Sequence, residues 1–175
     1  MSGEHAYVDE TKRGGLVVVL VLTSPTQLEV GRAAMRRLLV GGQSHLHFTK
    51  ERDARRKQIV NEILQLGVEI DVYDATGCDP RKARDRALDM IVADLAMRRA
   101  AWLTIERDES LAAAERKVLA AAARRHGVEG ELQYRHMPKR GEPMLWVADA
   151  AAWCWTHEGW RQRIRAKVSA VTIVT

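Results

Sequence analysis

The chain has 175 residues, of which 46% are hydrophobic and 29% charged, and it carries a formal net charge of +5. That length suits one domain with a core of its own, and the composition excludes global disorder. The longest apolar run, Leu16–Leu22, is too short to cross a bilayer, and the first residues, with Glu4 and Asp9, lack a basic-then-apolar leader, so the cytoplasm is the expected compartment.

His5–Asp9 reads as a short strand that ends in acid. Thr11–Gly15 is turn chemistry, and Leu16–Leu22 is a β-branched run of strand length, so a hairpin is predicted. Pro25 breaks the strand, and Ser24 or Thr26 can cap a helix over Gln27–Leu39 that Gly41-Gly42 ends. His45–Thr49 alternates, which predicts a third strand with His45 and His47 on one face and Leu46 and Phe48 on the other. Glu51–Leu66 follows as a helix with Ile59, Ile63 and Leu66 in its apolar stripe, then Val68–Tyr73 as a strand. Asp79-Pro80 is a start signal for a long helix reaching about Arg99. Ala101–Ile105 is the next strand, and an alanine-rich helix runs from Asp108-Glu109-Ser110 to Gly127. Glu131–His136 reads as a strand, Pro138–Pro143 as a loop and Leu145–Thr156 as an apolar helix. Residues 160–175 are basic and then β-branched, a C-terminal appendage that can supply a helix and a short strand. Antiparallel strands followed by strand–helix–strand crossovers predict a single α/β domain over residues 1–175, with a mixed sheet and helices on both faces.

Two cysteines, Cys78 and Cys154, form no CxxC pair and read as free thiols. Arginine dominates the basic clusters. Lys50, Arg52, Arg55 and Arg56 form one, and Arg81 and Lys82 open another; the planar guanidinium fork suits phosphate, so nucleic acid is the partner these groups predict. The alternative is that they are solvated helix faces. Neither GxxxxGK[ST] nor GxGxxG is present, which argues against an NTPase or a dinucleotide enzyme. His45-x-His47 is a candidate zinc pair without a third ligand at a recognisable spacing, and a solvated or core pair is favoured. Trp146, Trp153, Trp155 and Trp160 crowd the C-terminal third. Their spacing favours core packing or a homodimer interface over base stacking.

Carboxylates fall where elements begin or end. Asp9 closes the first strand, Glu106 closes Trp102–Ile105, and Glu51 opens a helix. Asp149 lies inside the apolar helix, where it must face solvent, pair with an arginine or meet other carboxylates at a metal. Mg2+ or Mn2+ would suit several converging carboxylates, because both ions prefer oxygen ligands.

The Tyr-Val-Asp-Glu-Thr start, the stretch Leu103–Arg107 and the helix segment Val147–Trp153 resemble, in order and spacing, the signatures of a bacterial and phage family, domain of unknown function 3800, which is placed among ribonuclease H-like folds. The resemblance spans Tyr7 to about Trp155. It implies that Asp9, Glu106 and Asp149 are metal ligands, with Glu51 or Asp74 as a fourth, in a divalent-metal-dependent nuclease acting on RNA or DNA. The family usually carries Asp where this chain has Glu106. The alternative is an inactive binding or assembly module on the same fold, perhaps in a phage or defence system. An active site requires the three carboxyl groups to lie close together; an inactive one would have them closed by an arginine or lysine. Glu10 should point away from Asp9 on a strand and is left out of the ligand set.

Overall fold

Val17–Thr23 (β2) is buried along its whole length, because it lies inside a sheet that helices cover on both faces. It pairs antiparallel with His5–Thr11 (β1) through the Thr11–Gly15 turn, where Gly14 and Gly15 take positive φ, a backbone region open to glycine. The computed structural model describes residues 3–175. The chain continues through α1 (Pro25–Arg37), α2 (Asp53–Gln65), β3 (Val68–Asp74), α3 (Ala83–Arg98), β4 (Trp102–Glu106) and α4 (Ala112–Arg125). It ends with β5 (Gln133–Met137), α5 (Met144–Trp155), α6 (Glu158–Ile164) and β6 (Val168–Ile173).

The six strands form one sheet in the order β5-β4-β1-β2-β3-β6. The β1–β2 and β2–β3 pairs are antiparallel; β1–β4, β4–β5 and β3–β6 are parallel. Only β2 therefore runs against the rest, and β1 and β4 end side by side on one edge. This is the predicted mixed α/β sheet.

The period of two along each strand divides the core. Tyr7, Val17, Val19 and Val21 face a layer made by α1, α2, α5 and α6. Ala6, Val8, Val18, Leu20 and Leu22 face α3 and α4, together with Leu103 and Ile105 of β4. Among the described residues, no helix is long and apolar enough to cross a membrane.

Two local expectations change. His45–Thr49 is a loop closed by a one-turn 3₁₀ segment, Phe48–Lys50, and not a third strand. Leu46 and Phe48 are buried as their alternation suggests, but in the helix layer against α5 and α2. Their backbone is held by side chains: Arg56 donates to the carbonyls of Phe48 and Thr49, and the Phe48 amide donates to Asp149 Oδ2 at 3.3 Å. Asp79-Pro80 opens a turn and not the helix itself; Asp79 accepts from the amide of Arg81, and α3 begins at Ala83.

Candidate functional site

Asp9 shares the face of Tyr7, so it points toward α5, and burial leaves it 8% exposed. Leu103 and Ile105 belong to the opposite core layer, so Glu106, offset by one residue, also ends on the α5 face. The β1–β4 pairing sets Tyr7 beside Thr104 and Val8 beside Ile105, which brings the two strand ends together. Asp149 lies mid-way along α5, the helix that packs against β1 and β2. The three carboxylates thus come from the ends of two neighbouring strands and from the helix laid across them.

They converge on a cation from this same chain. Lys139 Nζ lies 3.2 Å from Asp9 Oδ2, 3.4 Å from Glu106 Oε2 and 3.1 Å from Asp149 Oδ1. Lys139 sits in a one-turn 3₁₀ segment, Lys139–Gly141, between β5 and α5. Its carbonyl accepts from Trp146 Nε1 at 2.6 Å and from the Glu142 amide at 3.1 Å, which fixes the backbone that aims the ammonium. Glu142 is anchored in turn: Arg32 of α1 donates to both of its carboxylate oxygens, at 3.1 and 2.6 Å, and the Met144 amide donates to Oε1.

Electrostatics follow from this crowding. Burial, then the charges of Asp149 and Glu106, raise the Asp9 pKa to about 7, against the pull of Lys139 and the Glu10 amide. Burial disfavours the Lys139 ammonium, but Asp9, Asp149 and Glu106 outweigh it and hold the lysine charged above its ordinary range. His45 stands in the same field: burial, His47 and Lys139 lower its pKa, while Asp149 and Glu106 oppose them.

The fit to a divalent metal rests on chemistry and on position. The donors are hard carboxylate oxygens, a cationic group occupies their meeting point, and Asp9 Oδ2 is buried with an ion pair but no directed hydrogen bond. The spacing is that of an ammonium cage: among the described residues, no group of three or more His, Cys, Asp or Glu side chains is spaced to close on a metal ion. Asp9, Glu106 and Asp149 would hold the ion once the ammonium gave way.

The other predicted site residues have different surroundings. Glu51 accepts from Gln43 Nε2 at 3.0 Å and pairs with Arg55 at 3.7 Å, at the entry to α2. Asp74, at the end of β3, takes the amide and hydroxyl of Thr76 at 2.9 and 2.6 Å and shapes a turn. Arg55 is spent on the Leu38 carbonyl and Gln58, and Arg56 on two loop carbonyls and Asp53. Lys50, Arg52, Arg81 and Lys82 are exposed. Glu10 points to the other side of the sheet, as the strand period requires, and pairs with Arg84 of α3, which also donates to Glu115 at 3.0 Å.

One group at the site, the Lys139 ammonium, was not predicted as part of it. Lys139 belongs to a loop without periodicity; its signal was position, ten residues before Asp149 in a segment bounded by prolines. Arg84 and Arg107 line a cleft of about 390 Å3 at the ends of β1 and β4, shared with Asp9, Glu10, Glu106 and Asp108. The tryptophans are largely internal. Trp146 and Trp155 are buried. Trp153 and Trp160 meet Phe48 edge-on, with ring centres 5.3 and 6.3 Å away. Trp153 is also covered on its faces, by the Arg56 guanidinium at 4.2 Å and by the His157 ring stacked at 3.6 Å. His157 Nδ1 donates to the Trp153 carbonyl at 2.7 Å, and its Nε2 meets the Arg13 guanidinium from the hairpin turn.

Strand order and the helices on both faces match a ribonuclease H-like fold. Among solved structures, the chain is similar to one from the complex of PCNA and RNase HII of Archaeoglobus fulgidus, with a TM-score of 0.56 and 16% identity over 93% of this chain and 76% of that one. No protein-family model matches the sequence, and no curated protein matches it.

Proposed function

We propose that this protein is a divalent-metal-dependent nuclease that cleaves phosphodiester bonds in RNA or DNA, with Asp9, Glu106 and Asp149 as the ligands of Mg2+ or Mn2+. The observation that carries this reading is the meeting of the three carboxylates on one cationic point, Lys139 Nζ. The ribonuclease H-like fold and the short motifs resembling the domain of unknown function 3800 family point the same way.

A divalent ion at that point would activate water for attack and stabilise the leaving oxygen. The chain's own residues do the rest. Asp9, buried and short-tethered on a strand, Asp149, oriented by the Phe48 amide, and the more exposed Glu106 would hold the ion. Arg107, half-exposed in the adjoining cleft, is the guanidinium placed to meet a phosphate near the ion, whereas Arg84 is committed to Glu10 and Glu115.

The ammonium at the centre meets the expectation stated for an inactive site and favours a second reading, a binding module in which Lys139 closes the cluster permanently. One assay separates the two: RNA, DNA and hybrid substrates with Mn2+, beside Asp9→Asn. Cleavage that falls to background in the variant supports the nuclease. Cleavage unchanged in the variant removes this site from the reaction, and binding without cleavage of any substrate selects the module.

A further inference from the structure

We propose that Lys139 is a built-in competitor for the metal position, so that a divalent ion enters by exchange with the lysine ammonium. The inference rests on the metal-binding reading above and adds to it a residue that sets the affinity of the site.

The ammonium and a divalent ion cannot share the position. Nζ lies 3.1–3.4 Å from one oxygen of each carboxylate; a Mg2+ or Mn2+ would need the same three groups drawn in to about 2.1 Å around that point, and two cations so close repel strongly. Nor can the carboxylates stand alone. Asp9 and Asp149 are largely buried, and three like charges converging without a cation would be expensive to fold. Lys139 neutralises one of those charges and lets the fold form without metal.

The hold is of a kind that can be released. Asp9, the most buried of the three carboxylates, has at Oδ2 the ion pair but no directed hydrogen bond, so the ammonium acts there as a point charge. The backbone of Lys139 is fixed by Trp146 and Glu142, so exchange involves rotation of the side chain alone. That side chain has a flexible four-carbon stem. The way out is on the side of Glu106, which is 39% exposed and leads to solvent. Arginine at this place would be harder for a metal to displace, since its forked guanidinium would bind two carboxylates edge-on and leave slowly.

The test uses Mn2+ itself. Calorimetric titration of the full chain and of Lys139→Met, which keeps the length and apolar bulk without the charge, is expected to show affinity rising about tenfold or more in the variant. In the wild-type chain, acylation of Lys139 followed by mass spectrometry is expected to speed up as Mn2+ is added, because the freed amine reaches solvent. This second measurement decides the matter if the variant fails to fold. Equal or weaker Mn2+ binding in Lys139→Met, or labelling that stays constant while Mn2+ binds, overturns the exchange and leaves the metal site intact. Absence of Mn2+ binding in both proteins, with no change in labelling, overturns the metal reading and the exchange with it.

Discussion

At the scale of single residues, the site is governed by the cost of burying charge. Asp9 has a folded-state pKa near 7 against an ordinary value of 3.8, with burial as the main cause. For an acid raised on folding, the native state binds more protons than the unfolded one between these values. Its contribution to stability is therefore fully present below about pH 3.8 and is lost as the pH rises through about 7. Urea denaturation of the metal-free protein should show this decline with rising pH, and Asp9→Asn should flatten it; a parallel profile in the variant would assign the titration to another group. The three carboxylates were legible in the sequence, because a charge at a strand end or within an apolar helix breaks a pattern. Lys139 was not, because a lysine in a loop breaks none. What places it is the tertiary clamp of Trp146 from α5, Glu142 from the connection itself and Arg32 from α1.

At the scale of elements, the short connection from β5 to α5 bears the weight. Glu142 is 1% exposed, holds Arg32 through two hydrogen bonds, lies 3.9 Å from Arg135 and accepts the Met144 amide at the start of α5. Glu142→Ala strands a half-buried guanidinium and an amide together, and breaking a buried pair from one side costs about 3–5 kcal/mol. Chemical denaturation should register that loss; a change within about 0.5 kcal/mol, as for an ordinary surface site, would refute the clamp. The elements themselves were read well where one period dominated: the hairpin, α5 and the β-strands on either side of α3. The His45–Thr49 segment was misread because alternation reports only that Leu46 and Phe48 are buried. A strand buries one face against a layer; here Arg56 and Asp149 satisfy the backbone instead, and the same alternation serves a loop.

At the scale of the whole molecule, the sheet is completed from its two ends. β6 pairs with β3 along Ile70–Asp74, Lys167 donates to the Leu66 carbonyl at 2.6 Å, and Val174 is buried beneath α3 in the second core layer. Its β-branched run was visible in the sequence; that it would close an edge was not, since its partner lies about a hundred residues earlier. Deleting residues 166–175 bares the edge of β3, whose Ile70 and Val72 sit beside unpaired backbone groups, and such an edge is a template for association. Light scattering and size-exclusion chromatography should show self-association of the truncated chain; a well-behaved species with an unchanged melting profile would mean that β6 is dispensable.

The layered contact of Arg56, Trp153, His157 and Arg13 has an optical consequence. The Trp153 indole is stacked on the His157 imidazole 3.6 Å away, within contact range for excited-state quenching, so its emission is expected to rise when that stack is broken. His157 is held there by the Trp153 carbonyl and by Arg13 of the hairpin whose first strand bears Asp9. Four residues from Asp149, Trp153 therefore offers an expected fluorescence readout of the contact between Arg13 of the hairpin turn and His157.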